Sequence, residues 1–237
     1  VTEILHDFRL PSKTESKDGQ LGPREDRLRI TEIFLSLQGE SKTVGLPTVF
    51  VRLTGCPLRC GYCDTEYAFH GGQWQDIRDI CQTVGDYGVQ HVTVTGGEPL
   101  AQFNAARLIH ALADQGLTVS VETSGAMDIG VLDERIIRVM DIKTPGSGEV
   151  ARNRWDNLAL LRAQDQIKFV ICDRADYEWS RDLLKNKALH EQCEVLFSPE
   201  HSGLKPAELA DWIIEDRLPV RFQLQLHKYL WGDEPGR

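Results

Sequence analysis

Three thiols crowd into eight residues, Cys56-Pro57-Leu58-Arg59-Cys60-Gly61-Tyr62-Cys63, with the spacing C-x3-C-x2-C. Three thiolates in one short loop can each hold an iron of a 4Fe–4S cube, leaving the fourth iron without a protein ligand. Such an open position can bind and activate a small molecule. Structural zinc is the competing reading: it wants four protein ligands, and His70 is available as the fourth. A thiol–disulfide motif needs only C-x-x-C, so the third cysteine argues against that chemistry. Cys81, Cys172 and Cys193 lie in apolar segments and read as small buried hydrophobes. A second group, Thr95-Gly96-Gly97-Glu98-Pro99, says little alone, because glycines before proline mark any tight turn.

The elements that must position these residues follow from spacing. Residues 1–28 are rich in Pro, Ser, Gly and Lys without periodicity, as in an extension rather than a core element. From Arg29 a regular pattern begins, with a strand over Ile30–Leu37, a turn at Gln38-Gly39-Glu40 and a strand over Thr48–Leu53. Ile77, Ile80, Cys81 and Val84 share one helical face, as do Ala105, Leu108, Ile109 and Leu112, and Gly116 stands where a helix ends. Asp173 opens a helix running through Leu184, and Pro206 begins another that ends near Arg217. Between them lie strand-like runs at His91–Thr95, Leu117–Glu122, Ile137–Ile142, Gln166–Ile171, Glu194–Phe197 and Val220–Leu226. These lack strict alternation, as expected for parallel strands buried on both faces.

Repeated strand–helix order predicts an α/β fold with a parallel sheet. The roughly 200 residues after position 28 fall short of the ~250 of a closed eight-unit barrel. A single domain, an incomplete (β/α) barrel of about six units over 29–237, is therefore expected, with a doubly wound sheet as the alternative. The strands end in polar or glycine-rich sequence: Gly55-Cys56, the Thr95–Pro99 turn, Glu122-Thr123-Ser124-Gly125, Asp141-Ile142-Lys143, Ser198-Pro199 and Gln225-Leu226-His227. Ligands of parallel α/β folds bind beyond the carboxyl ends of the strands, so these segments should meet on one rim.

Composition removes other classes. The 237 residues carry 36 acidic and 27 basic side chains, a net charge of -9, which supplies no phosphate-neutralising face for nucleic acid. No apolar run of about 18 residues is present to span a membrane, and the first residues do not form a secretory signal. A cytoplasmic protein is expected.

At the cysteine triplet, with Tyr62 just before the last thiol, the sequence resembles the radical S-adenosylmethionine (SAM) superfamily. The resemblance implies a partial barrel in which SAM chelates the open iron and is cleaved by one electron to methionine and a 5′-deoxyadenosyl radical. Thr95–Pro99 matches the superfamily's second motif, which binds the methionine amino group. A narrower resemblance runs from about Ile30 to Trp231. Leu37-Gln38-Gly39-Glu40, Arg52–Cys56, Cys63-Asp64-Thr65, Glu122–Gly125 and His227-Lys228-Tyr229 together are similar to the 7-carboxy-7-deazaguanine synthases of the queuosine (deazapurine) pathway. This implies a carbon–nitrogen lyase acting on 6-carboxy-5,6,7,8-tetrahydropterin, with ring contraction and loss of ammonia.

Carried over by position, Cys56, Cys60 and Cys63 hold the cluster. Tyr62, Asp64, Gly97, Ser124, Lys143 and Ser198 contact SAM. Leu37, Gln38, Gly39, Glu40, Arg52, Thr95 and His227 line the substrate pocket, and Thr65 helps hold Mg2+ beside the substrate carboxylate. Arg52 suits anionic or carbonyl groups and Glu40 suits the ring NH and amino donors of a pterin. Competing readings stay open: Arg52 paired with a surface acid, Glu40 as a turn residue, Thr65 as a cap and His227 as a structural histidine. The resemblance further implies a homodimer, and a reducing donor such as flavodoxin is expected by analogy. A glycyl-radical-enzyme activase and a non-catalytic zinc-binding protein are the alternatives. The role of residues 1–28 and of the tail after Trp231 is left open.

Overall fold

The structure, a computed structural model, describes residues 26–201, 203–232, 234 and 236. β1 (Arg27–Leu37) turns back antiparallel into β2 (Pro47–Leu53), and β3 (Gln73–Asp76) pairs antiparallel with the other edge of β1. From β2 onward every pairing is parallel, through β4 (His91–Gly96), β5 (Thr118–Thr123), β6 (Ile137–Asp141), β7 (Gln166–Ile171), β8 (Glu194–Pro199) and the two-residue β9 (Arg221–Phe222). The sheet stays open, with β3 and β9 at its edges, so the architecture is the expected partial barrel. The antiparallel hairpin at its start is an addition to the parallel sheet read from the sequence.

Helices follow some strands but not all. α1 (Ile77–Asp86) and α2 (Ala105–Asp114) cover the first half, and α3 (Arg174–Lys187), α4 (Leu189–Gln192) and α5 (Pro206–Asp216) cover the second. The crossovers after β5 and β6 contain only short 3-10 turns, such as Ile129–Val131 and Trp155–Leu160. Helix ends match their sequence signals. Asp173 accepts a hydrogen bond from the Asp176 N–H at the start of α3, and Gly116, at φ +83°, follows α2. The expected extension at 1–28 lies mostly outside the described residues, but β1 begins at Arg27 because the Leu28 side chain joins the core.

The expectation of strands apolar on both faces is corrected. Along β4 and β5, Val92, Val94, Val119 and Val121 point outward under α1 and α2, whereas Thr93, Thr95, Ser120 and Glu122 point to the other face. The same alternation holds in β7, where Ile167, Phe169 and Ile171 pack with Tyr177 and Leu209 of the outer helices, and Lys168 lies inward. Each buried aliphatic side chain contributes about 1.5–3 kcal/mol. The outer face thus supplies the stability and leaves the inner face free to be polar.

β1 changes phase to join this scheme. Ile30 stands opposite Leu53 and Glu32 opposite Arg52, so β1 carries one extra residue, a bulge at Thr31. Before the bulge Leu28 and Ile30 belong to the outer core; after it Glu32 and Phe34 share the inner face with Arg52 and Phe50. The strand expected over Val220–Leu226 is also corrected. Only Arg221 and Phe222 pair, and α6 (Leu226–Trp231) follows, so His227 sits in the first turn of a helix rather than after a strand. The Gln223 side chain bonds both backbone groups of Ser41, and Gln225 donates to Glu40, which draws the chain out of the sheet.

Candidate functional site

The cysteine loop leaves the carboxyl end of β2 and is pinned by backbone bonds. Gly97 N–H donates to Leu53 O (3.2 Å), Glu98 N–H to Gly55 O (2.9 Å) and Gly61 N–H to Ser147 O (3.1 Å). A Cβ at Gly97 would stand 2.4 Å from Gly55 O and 2.7 Å from Cys56 Cβ, so only glycine permits the turn after β4 to press against the first cysteine. The fully buried Glu98 carboxylate accepts from Thr123 Oγ1, Ser124 N and Oγ, and Leu100 N at 2.5–3.0 Å. It thereby locks the second motif to the end of β5. This occupies the Ser124 hydroxyl, which sequence reasoning assigned to SAM.

The three thiols are half-buried and none is in a disulfide. Burial pushes all three up, Cys60 to about 11, and the charge of Lys143 opposes the rise in each. Free thiols here stay protonated near neutral pH, and metal coordination is what would convert them to thiolates. Among the described residues no three His, Cys, Asp or Glu side chains converge on one point as ligands of a single ion would. His70, the fourth ligand a zinc site would need, is exposed. Ligands to separate irons of a cube need not converge, so the donor set fits the cluster better than zinc. Beside it the Tyr62 hydroxyl is buried without a partner, and Lys143 Nζ lies 5.7 Å from the Tyr62 ring centroid and 2.8 Å from Asp141. A buried hydroxyl with an unmade bond next to the thiols suits a bound polar cofactor.

The other half of the rim is built from distant segments. Largely buried Glu40 pairs with Lys168 from β7 and accepts from Gln225 Nε2 at 2.9 Å. Burial would raise the Glu40 carboxyl, but the Lys168 charge and hydrogen bonds outweigh it and hold it low. The Glu122 carboxyl is pushed up, first by burial and then by the Glu40 charge. It accepts from Thr95 Oγ1 (3.1 Å) and Gln38 Nε2 (3.4 Å), while Gln38 also donates to Thr93 (3.0 Å). Two neighbouring carboxylates thus differ in protonation tendency, an arrangement that can accept and supply hydrogen bonds to one ligand.

Gly39 and His227 meet across the whole chain. A Cβ on Gly39 would stand 2.0 Å from His227 Nδ1, and Leu226 N–H donates to Gly39 O at 3.0 Å. Burial depresses the His227 imidazole, with Glu40 and Asp64 opposing that effect. Asp64 accepts from Thr65 Oγ1 (2.7 Å) and Gln225 Nε2 (3.2 Å) and lies 3.3 Å from Lys228 Nζ. Burial would raise the Asp64 carboxyl, yet these partners hold it well below the usual carboxylate range. Thr65 does occupy the position before the 3-10 turn Glu66–Phe69, but its hydroxyl makes no cap bond.

The structure therefore brings Gln38, Gly39, Glu40, Thr95 and His227 together, with Arg52 opposite Thr95 in the sheet and Leu37 leading into the group. Ser198 is buried at the carboxyl end of β8. Sequence reasoning missed Glu98, Glu122, Lys168, Asp141 and Gln225 as participants. For Lys168 the signal was available: a lone lysine between Ile167 and Phe169 in an apolar strand. Cys172, read as buried, is half-buried at the end of β7, where it faces Asp176; Cys81 and Cys193 are buried as expected. A cavity of about 480 Å³ lined by Gln192, Glu194 and Arg221 lies at the strands' amino ends, away from all of these groups. No described helix is long and apolar enough to cross a membrane.

Residues 50–142 match the family model of the radical SAM superfamily. The chain is 40% identical over 213 residues to a 7-carboxy-7-deazaguanine synthase of Chlorobaculum tepidum, covering 89% of this chain and 97% of that protein. In fold it is similar to the crystal structure of QueE from Escherichia coli, with a TM-score of 0.67, 23% identity and coverage of 85% of this chain and 95% of that one. A SAM-bound structure of SuiB from Streptococcus suis is more distant, with a TM-score of 0.51 and 16% identity over 72% of this chain and 45% of that one.

Proposed function

Since this chain belongs to the 7-carboxy-7-deazaguanine synthases of the radical SAM superfamily, we propose that it converts 6-carboxy-5,6,7,8-tetrahydropterin to 7-carboxy-7-deazaguanine, as a lyase that contracts the ring and releases ammonia. The observation that carries this reading is the contact between Gly39 and His227, which joins the Leu37–Glu40 segment to the His227–Tyr229 segment around Glu40, Glu122 and Lys168. The two segments that set this family apart in sequence form one pocket wall. A wall of paired carboxylates and amides suits a small polar heterocycle better than a peptide loop.

Cys56, Cys60 and Cys63 would hold the cluster, with Tyr62, Gly97 and Lys143 beside the SAM it binds. When bound, the cluster and SAM supply a one-electron cleavage that yields a radical able to abstract hydrogen. The chain's own residues position and shield. Glu40, kept ionised by Lys168, accepts from the pterin's amino and ring NH donors, and the Glu122 carboxyl, pushed toward its protonated form, donates to a ring carbonyl or nitrogen. Arg52 takes an anionic or carbonyl group, and Thr95 and Gln38 fix Glu122 between them. α6, seated on Gly39, keeps water from that side of the pocket. Thr65 would complete a Mg2+ site only with the substrate carboxylate and waters, because a neutral hydroxyl binds a hard cation weakly.

The test is an anaerobic reaction of reconstituted protein with SAM, dithionite and the carboxypterin, followed by mass spectrometry. The reading requires the deazapurine carboxylate as product. Cleavage of SAM without it, or a colourless protein holding zinc, would contradict it.

A further inference from the structure

The bulge at Thr31 aims Glu32 at Arg52, its partner across the inner face. Arg52 Nε donates to Glu32 Oε1 at 2.7 Å, and the Tyr67 hydroxyl donates to the same oxygen at 2.8 Å. The guanidinium carbon lies 5.9 Å from the Phe34 ring centroid and 5.8 Å from that of Tyr67, within cation–π range of both. Among the described residues, only Nε of this guanidinium has a hydrogen-bond partner; both terminal nitrogens are free. Carboxylate and rings together hold the plane of the group while its outer edge, with two parallel N–H donors, faces away from Glu32. That edge is the geometry that grips a carboxylate or paired carbonyl acceptors in bidentate fashion.

Without the extra residue, and with Ile30 still opposite Leu53, Thr31 would stand opposite Arg52 and β1 would keep one phase throughout. Glu32 would then share the outer face with Leu28 and Ile30, among buried aliphatic groups. The bulge separates the two demands, keeping Ile30 in the core and turning Glu32 inward. The Thr31 and Thr54 hydroxyls, 2.8 Å apart, tie the bulged residue to the start of the cysteine loop. Tyr67 comes from the 3-10 turn Glu66–Phe69 just after that loop, so the clamp on Arg52 is tied at both ends to the segment carrying the thiols.

We propose that Glu32, aided by Tyr67, is a positioning residue that orients Arg52 for the substrate's anionic or carbonyl edge. This rests on the reading of Arg52 as a pocket residue. The alternative raised by the sequence, Arg52 neutralised by an acid, is true of the contact but incomplete, because the acid takes only the inner nitrogen.

The test uses the reconstituted holoenzyme with SAM, dithionite and the carboxypterin, measuring KM, kcat and the ratio of 5′-deoxyadenosine to deazapurine. Arg52→Ala should raise KM for the pterin by about tenfold or more, the effect of losing a charge-assisted hydrogen bond. Glu32→Ala should raise the same KM by about fivefold and increase uncoupled 5′-deoxyadenosine, leaving KM for SAM unmoved. Glu32→Gln keeps an acceptor oxygen for both donors and should recover most of that loss. In an Arg52→Ala background Glu32→Ala should add nothing, a non-additivity that general loosening of the fold would not produce. If Glu32→Ala folds poorly, Tyr67→Phe, which removes one donor from the clamp, should move KM in the same direction by a smaller factor. An Arg52→Ala enzyme with parental KM overturns the pocket reading itself. An Arg52→Ala effect without one from Glu32→Ala or Tyr67→Phe, or effects that simply add, overturns the positioning role alone.

Discussion

The two sides of the rim are assembled in opposite ways. The thiol side is made by short stretches of chain: eight residues of one loop, the glycine turn pressed on its first cysteine, and Glu98 tying that turn to the next strand. The pocket side is made by residues that meet only when the sheet is complete, Glu40 with Lys168 and Gln225, and Gly39 with His227. Local contacts dominate the first side, which meets the second mainly where Asp64 bonds Gln225 and Lys228. Damage to the thiol side should therefore remove all chemistry, whereas damage to the pocket side should alter stability and pterin recognition while SAM cleavage survives.

The largest effect expected is from Cys60→Ala. With two thiols left, the visible absorption of the cluster and 5′-deoxyadenosine formation should both vanish, while the circular dichroism spectrum stays that of a folded α/β protein. Residual cleavage at the parental rate would erase the distinction between the two sides.

Lys168→Ala tests the other side. It strands the Glu40 carboxylate in a largely buried position and should cost about 3 kcal/mol in chemical denaturation. Joint replacement, Lys168→Met with Glu40→Gln, should cost much less. The sign of the pH dependence follows from the two groups. Glu40 is held below its ordinary 4.5, so its contribution is present above that pH and is lost as pH falls through the folded value. Lys168 is raised above 10.5, so its contribution is present below that pH and is lost only as pH rises through the folded value. The penalty should be flat in mildly alkaline solution and shrink toward acid, because burial raises the stranded Glu40 carboxyl once Lys168 is gone. A parental denaturation midpoint in the single variant would show the pair to be dispensable.

His227 should give a smaller, pH-dependent effect. Its imidazole is depressed below 6.5 mainly by burial, so the neutral form is favoured and the stabilisation is complete above pH 6.5. As pH falls through the folded value the ring must charge against Gly39, and pterin affinity should drop by a few fold. His227→Asn should flatten that drop; an unchanged profile would assign it to another group. Smallest of all is Thr65→Ala. Product formation should respond to added Mg2+ after chelation, and the variant should blunt the response with the cluster intact. Identical curves would leave Thr65 as nothing more than a partner of Asp64.

The comparison also explains what could be read in advance. The thiol loop, the glycine turn, α1 and α2 were legible because local spacing defines them. The crossovers after β5 and β6 were not, since 3-10 turns leave no period in the sequence. The alternation of β4 and β5 was present in Val92–Thr95 and Val119–Glu122, but the expectation of a two-sided core masked it. Val220–Leu226 reads as one of the strand-like runs, although its apolar residues in fact alternate with Arg221, Gln223 and Gln225. Bonds from the two glutamines to Ser41 and Glu40, 182 and 185 residues away, decide otherwise. Long-range pairs of this kind, Glu32 with Arg52 included, carry no local signature, and the bulge that creates the last one inverts the pattern that would have revealed it.

The most direct test of a rim divided in this way is the affinity of Gly39→Ala for its two small molecules, measured anaerobically on protein with a full cluster. The added methyl would collide with His227 and push α6 from the Leu37–Glu40 segment, reaching the cysteine side only through the contacts of Gln225 and Lys228 with Asp64. Affinity for the carboxypterin should fall by about tenfold, and affinity for SAM should stay within a factor of two of the parent. Equal loss of both ligands, or parental affinity for the pterin, would contradict the division of the rim and with it the pocket built on Gly39 and His227.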